Sequence, residues 1–320
     1  MTDDPLPVSL VRTLPGSAYA DLDHFRREQE HIFERHWFGA ARADELDKPG
    51  SYRTIQVGRE SVLLVRDRRG KLGAFLNTCR HRGAQLCAEP AGQLRNAVRC
   101  MYHAWTYGLD GALIAAPNLD TLTGVDRARY GLHRLHLREW LGTAWVSLAG
   151  DPPDFDQTVK GTVAARLGGP DVIDAWHIEG LQLGRRHTYQ VKANWKLVIE
   201  NFMECYHCAT IHPELTEVLP EFADGYAAQY YVGHGAEFGP GIDGFTIDGT
   251  PAFPALPHID SDHDRRYYAI TVNPQVFINL VPDHVIFHRM YPTAPDRTIV
   301  ECDWLFAPEV VGGGADLAKS

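Results

Sequence analysis

The apolar positions change period along this chain. From Asp21 to Phe38, "DLDHFRREQEHIFERHWF" sets Leu22, Phe25, Ile32 and Phe33 at helical spacing among polar residues, which predicts an amphipathic helix. His24, His31 and His36 on it read as surface or packing residues. From Ser51 the texture shortens to two-residue alternation in "YRTIQVG", "SVLLVRD" and "LGAFLNT", separated by Gly and charged turns, which predicts antiparallel strands. "AWTYGLDGAL" continues the strands with "LDG" as a hairpin turn, and "TAWVSLAG" ends them. "GDPPDFDQ", Gly150 to Gln157, is turn-rich and marks a boundary. Beyond it stand strand patterns at "GRRHTYQVKA", a helix from about Asn194 and a loop-rich aromatic stretch. Strands follow at "QVFINLV", "HVIFHRMYP" and "TIVECDWLF". A small β domain followed by a larger α+β domain fits this order. The expected division is a helical segment over 1–38, a β domain over 39–150 and an α+β domain over 151–320.

Bulk properties narrow the class. The chain has 320 residues, 44% hydrophobic and 22% charged, with no internal repeat, which suits a globular protein with sizeable cores. Its net charge of -10 disfavours nucleic-acid partners. No apolar run approaches the roughly 20 residues that cross a bilayer, and the start "MTDDPLPVSLVRTLPG" has no secretion signal. A cytoplasmic protein without a membrane partner is the expectation. Six cysteines do not make a disulfide scaffold at this size; a reducing compartment suits metal or redox use.

Two constellations carry chemistry. "NTCRHRGAQLC" and "RCMYHAWTYGLDG" give Cys79-x-His81 and Cys100-x-x-His103, each loop supplying one thiolate and one imidazole. That mixture suits a Rieske [2Fe-2S] centre, where two histidines replace two cysteines on one iron and raise its potential. Gly83 lets backbone approach the cluster, and Trp105 and Tyr107 can pack beneath the second loop. A structural zinc site takes the same ligand types. Cys87 reads as a small buried hydrophobe.

"NWKLVIENFMECYHCATIHPEL" is the second. At helical period Trp195, Val198, Ile199, Phe202, Tyr206 and Ala209 share one sector, with Glu200, Asn201, Glu204 and His207 opposite. Those polar residues suit a lined pocket. His207 and His212 lie out of phase on a straight helix. Pro213 disfavours helical geometry at His212, so a bulge or end near Ile211 would bring the rings together. Two histidines and one carboxylate on one face of iron is the facial triad of non-heme oxygenases. Cys205 and Cys208 read as core packing.

Together these motifs resemble the Rieske non-heme iron oxygenases, large (α) subunit, over nearly the whole chain. The wording "ENFMECYHC" is similar to the quaternary-ammonium members that oxidise glycine betaine and carnitine. The resemblance implies an α+β fold, a Rieske β domain plus a helix-grip-like catalytic domain with a central antiparallel sheet and the N-terminal segment packed on it. It implies Cys79, His81, Cys100 and His103 as cluster ligands, His207 and His212 as ligands of a mononuclear Fe(II), and Asn201 near that iron. Glu204 becomes the bridge that passes electrons from one subunit's cluster to its neighbour's iron in a homotrimer. The third ligand, an Asp in the family, is expected beyond Ser320, with this sequence cut short at its C-terminus; Asp283, Glu301, Asp303 and Asp316 are the nearby acids. A separate NAD(P)H-dependent flavin/iron–sulfur reductase and O₂ are the implied partners. The expected reaction is N-demethylation of a quaternary ammonium compound, with aromatic-ring hydroxylation or a bare Rieske electron carrier as alternatives. Phe222, Tyr226, Tyr230, Tyr231, Phe238, Phe277, Phe287, Tyr291 and Trp304 are candidates for an aromatic box.

Overall fold

Residues 13–121, 124–224, 235–313 and 317 are described by a computed structural model. Helices α1 (Ser17–Ala20) and α2 (Leu22–Glu28) lead into a π turn over Gln29–Phe33. Asp21 caps α2, its carboxylate accepting the His24 N–H at 2.7 Å. The helical run ends at Phe33, short of the expected Phe38, because the next apolar run is buried on both faces. It forms strand β1 (Phe38–Arg42), with all five residues buried.

Nine strands complete the first half: β2 (Ser51–Val57), β3 (Glu60–Arg66), β4 (Leu72–Leu76), β5 (Ala91–Gln93), β6 (Ala97–Arg99), β7 (Thr106–Gly108), β8 (Leu113–Ala115), β9 (His136–Trp140) and β10 (Thr143–Ser147). They build a four-stranded sheet in the order β4-β3-β2-β5, and three-stranded sheets β6-β7-β8 and β1-β10-β9. The "LDG" turn closes the β7–β8 hairpin, with Gly111 at φ +84°. In the second half, helix α3 (Gly161–Leu167) precedes β11 (Gln182–Val191). Helices α4 (Trp195–Met203), α5 (Cys208–Ile211) and α6 (Pro213–Val218) follow. Then come β12 (Ala236–Glu237), β13 (Arg266–Val272), β14 (Val276–Leu280), β15 (Val285–Ala294), β16 (Arg297–Phe306) and helix α7 (Pro308–Gly312). The six strands form one antiparallel sheet in the order β11-β16-β15-β14-β13-β12.

Strand alternation gives this sheet two apolar faces. Ile270, Ile278, Phe287 and Leu305 pack with Trp145, Phe155, Val163 and Trp176 on one side. Phe277, Met290, Val300 and Cys302 pack on the other with Trp195 and Ile199 of α4 and with Phe25 and Phe33 of the N-terminal segment. Trp195 Nε1 and Lys196 Nζ both reach the buried Glu28 carboxylate, at 2.9 and 2.5 Å. β13 falls in what the sequence reads as an aromatic loop. Both faces of "RYYAITV" are largely buried, so it shows no polar alternation.

An ionic lattice ties the first half to the sheet. Arg53 on β2 meets Glu45 and Glu301, each at 2.7 Å. Arg186 on β11 meets Glu45 at 2.6 Å and Asp303 at 2.5 Å. Arg289, fully buried on β15, holds Glu301 at 3.3 Å and Asp303 as well.

Candidate functional site

The two Cys/His loops adopt one hydrogen-bonded turn. In the first, Cys79 N–H donates to the Ala84 carbonyl at 2.8 Å, and Gly83 N–H returns to the Cys79 carbonyl at 3.0 Å. The second repeats it: Cys100 N–H to the Trp105 carbonyl at 2.8 Å, Ala104 N–H to the Cys100 carbonyl at 3.0 Å. The returning residue has positive φ in both, +72° at Gly83 and +58° at Ala104. No protein atom lies within 4 Å of a Cβ built on Gly83, so within the chain it is φ rather than crowding that asks for glycine there. Ala104 adopts the same region at a cost of about 1–2 kcal/mol.

Cys79 and Cys100 are buried, whereas His81 and His103 are exposed with ring centroids 4.8 Å apart. Trp105 stacks on His81 at 5.0 Å and 7°, and Tyr102 tilts against His103 at 3.8 Å. Desolvation and the neighbouring His103 push His81 down, toward the neutral imidazole that a metal binds. Among the described residues no set of three or more His, Cys, Asp or Glu side chains could hold a single ion. A zinc site of the Cys₂His₂ kind needs four ligands around one ion. A binuclear cluster with a sulfur pair on one iron and an imidazole pair on the other does not. The paired donors fit the cluster.

The Trp105 ring and the Tyr107 hydroxyl reach the first loop, and both residues share a buried cluster with Cys100 of the second. Tyr107 is fully buried, its oxygen 3.2 Å from Cys79 Sγ and accepting the Arg80 N–H at 3.0 Å. With Cys79 as a ligand its thiolate would carry no proton, so the phenol would donate to it and draw charge from the sulfur. Tyr107→Phe is expected to keep the cluster's colour and iron content and to move its midpoint potential negative in a redox titration.

The second constellation is built around two breaks in a helix. Asn194 caps α4, accepting the Lys196 N–H at 3.0 Å. α4 ends at Met203, and Glu204 is extended at φ −131° and ψ 150°. Its carboxylate takes the Tyr206 N–H and meets His207 Nδ1 at 2.7 Å, a local bond that competes with the helical one. This break lies about two turns before the one expected near Ile211, and it leaves Tyr206 85% exposed instead of in the apolar sector. The expected break also occurs: α5 ends at Ile211, His212 has φ −129° and ψ 57°, and Pro213 starts α6. The two together set His207 and His212 with ring centroids 5.4 Å apart at 76°. Asn201 Nδ2 lies 3.3 Å from His207 Nε2. Burial acts to raise the Glu204 carboxyl, but the hydrogen bonds from His207 and Tyr206 outweigh it and hold it below its ordinary range. It is ionised at neutral pH.

The histidine pair opens on a cavity of about 170 Å³ whose wall includes Phe202, Met203, Leu215, Phe222, Tyr267 and Ala269. Tyr267 and Ala269 come from β13 and were not singled out in the sequence; their i, i+2 spacing on one strand face was the available signal. Cys205 and Cys208 also line it, hydrogen-bonded to one another, with burial pushing both thiols up. Cys87 is likewise buried, its thiol pushed up to about 11. Phe277 stacks on Phe202 at 3.9 Å, beneath α4. Phe238 packs with Phe222, Phe287 belongs to the opposite sheet face, Trp304 meets His187, and Tyr291 binds the Ala40 carbonyl. Tyr226, Tyr230 and Tyr231 lie outside the described residues.

The nearby acids are committed elsewhere. Asp283 bonds His284 at 2.7 Å and the Phe253 N–H. Glu301 and Asp303 belong to the ionic lattice. Asp316 lies outside the described residues. Among the described residues the iron site therefore offers two imidazoles, which fit iron but do not complete a triad.

Residues 36–126 match the family described as the Rieske [2Fe-2S] domain, and residues 178–319 the ring hydroxylating alpha subunit (catalytic domain). The chain is 30% identical to a glycine betaine monooxygenase oxygenase subunit of Pseudomonas aeruginosa, across 94% of this chain and 75% of that protein. It is 34% identical to a carnitine monooxygenase oxygenase subunit of Escherichia coli, across 64% of this chain and 53% of that one. The solved structure of the quaternary ammonium Rieske monooxygenase CntA with its substrate gamma-butyrobetaine is similar at a TM-score of 0.70 and 26% identity. That likeness covers 93% of this chain and 76% of CntA.

Proposed function

Because this chain belongs to the Rieske non-heme iron oxygenases of the α-subunit type, O₂-incorporating oxidoreductases that carry a [2Fe-2S] cluster and a mononuclear iron, we propose that it N-demethylates a quaternary ammonium compound such as glycine betaine. The observation that carries this reading is the His207–His212 pair beside the ionised Glu204, opening on a cavity walled by Phe202, Phe222 and Tyr267. Rings of that kind attract a trimethylammonium group by about 0.5–2 kcal/mol each.

We assign Cys79, His81, Cys100 and His103 to the cluster and His207 and His212 to the iron, with the domain division near Gly150. When bound, the cluster supplies single electrons and the iron supplies O₂ activation. Glu204 holds the Nδ1 proton of His207, which fixes the tautomer and leaves Nε2 for metal. Asn201 Nδ2 lies 3.3 Å from that Nε2 and would give it up when metal binds. In the net reaction one oxygen atom enters an N-methyl C–H bond, and the other leaves as water with two electrons and two protons. The carbinolammonium then breaks its C–N bond, giving formaldehyde, a tertiary amine and a proton.

We further propose a homotrimer in which the Cys/His tip of one copy faces Glu204 of the next. Residues 39–150 carry 16 basic and 10 acidic residues and residues 151–320 carry 11 and 24, so unlike regions of two copies attract. Met101 and Tyr102 at the tip are 89% and 64% exposed, and Tyr206 beside Glu204 offers a matching apolar surface. A separate NAD(P)H-dependent flavin/iron–sulfur reductase would supply the electrons. Six cysteines with no disulfide among them suit the cytoplasm, and among the described residues no helix is long and apolar enough to cross a membrane. The purified protein is expected to be red-brown and to give a rhombic EPR signal on reduction. A colourless, zinc-loaded protein would contradict the assignment.

A further inference from the structure

We propose that Tyr206 of one copy seats in a cleft beside the cluster histidines of the next, and that this contact holds Glu204 against those imidazoles. This rests on the homotrimer proposed above and names the side chain and the cavity that set its register.

Tyr206 leaves the chain at the break between α4 and α5. Its N–H is held by the Glu204 carboxylate, whose other oxygen lies 2.7 Å from His207 Nδ1. The ring is 85% exposed, and Ile211 at the end of α5 is 65% exposed. One exposed aromatic is ordinary on a protein surface. This one is tied by a hydrogen bond to the carboxylate assigned to carry electrons between copies, so where that carboxylate docks the ring docks too.

The receiving surface is a cleft of about 330 Å³ lined by His81, His103, Trp105, Pro117, Asn118 and Leu119. Trp105 is fixed there, stacked on His81 at 5.0 Å and braced edge-on by Tyr130 at 6.0 Å. Another wall is the turn from Ala116 to Leu119. It is closed by the Leu119 N–H on the Ala116 carbonyl at 3.1 Å and by the Thr121 hydroxyl on the Asn118 carbonyl at 2.7 Å. Indole and imidazole offer an entering ring face and edge contacts, and the exposed Asn118 amide can meet a phenol oxygen.

Charge favours the same register. From Cys79 to His103 the chain carries four Arg and one Glu; from Glu200 to Glu221 it carries five Glu and no Lys or Arg. Between copies these two stretches attract, and like docked on like repels. His81 and His103 are themselves part of the cleft's lining, so a Glu204 carboxylate within reach of either imidazole brings the adjoining Tyr206 ring to the cleft. With the ring seated, packing rather than one exposed hydrogen bond fixes the carboxylate, which makes Tyr206 a positioning residue.

The test has two arms on the iron- and cluster-loaded protein. In the first, p-benzoylphenylalanine replaces Tyr206, and the photoproducts are sized and mapped by peptide mass. Covalent dimers joining position 206 of one copy to the segment 103–119 of another are expected, whichever substrate is oxidised. In the second, Tyr206→Ala is expected to slow single-turnover oxidation of the reduced cluster by O₂ and glycine betaine by at least about tenfold. The cluster's potential and the iron content should not move, and Tyr206→Phe should restore a rate near the parent's. Sedimentation keeps the trimer and the seat apart. A monomeric parent protein removes both. A trimer whose crosslinks join position 206 to its own chain, to the reductase or to another segment overturns the seat while the trimer stands, and so does an alanine variant as fast as the parent.

Discussion

Glu204→Gln is expected to leave the cluster's visible spectrum, its potential and the iron content near those of the parent protein, and to lower coupled turnover by about 10–100-fold or more. The side chain is not placed to ligate. Its Oε1 is 2.7 Å from His207 Nδ1, and its other oxygen is taken by the Tyr206 N–H. Glutamine keeps the size and can still accept one bond, but it carries no charge to stabilise the histidine proton. Electron arrival at the iron should therefore slow while each metal centre, measured alone, is unchanged. Single-turnover oxidation of the reduced cluster by O₂ and substrate separates these effects. Full activity in the variant would remove Glu204 from the electron path.

Asp303→Asn is expected to be the most damaging substitution for stability, at about 3–5 kcal/mol, because it strips one partner from a fully buried ion group. Asp303 receives both Arg186 and Arg289, and Arg289 has no exposure through which water could replace the lost charge. Burial acts to raise the Asp303 carboxyl, but the bonds from Arg186 and the charge of Arg289 hold it below its ordinary value. The sign follows from that direction. The unfolded chain binds the proton more readily, so this contribution is fully present above about pH 4–5, the range above an unfolded aspartate. It is lost as pH falls through the lower folded value. Urea midpoints measured at pH 7 and pH 3 should show a large gap between parent and variant at neutral pH, and a smaller one in acid.

What the sequence discloses follows from how local each cause is. The Cys79/His81 and Cys100/His103 loops are legible because a few adjacent residues and one positive φ define each turn. The approach of His207 to His212 is legible because Pro213 restricts the residue before it. The break at Glu204 is not, since a carboxylate that folds back onto the next N–H groups looks, in sequence, like one more residue on a polar helix face. β13 is hidden for a different reason. With Tyr267 and Tyr268 buried on opposite faces of one strand, its period is erased, and the cavity wall it supplies goes with it. The lattice of Glu45, Arg53, Arg186, Arg289, Glu301 and Asp303 joins residues up to 258 positions apart on four strands and a turn, and no local pattern announces it.

The most direct test of the demethylation account supplies the iron-loaded protein with NADH, a flavin/iron–sulfur reductase and a trimethylammonium substrate, and measures formaldehyde against O₂ consumed. One formaldehyde and one tertiary amine that keeps two N-methyl groups per O₂ is the predicted result. A hydroxylated aromatic acid formed under the same conditions, with no formaldehyde from choline, glycine betaine or carnitine, would contradict it.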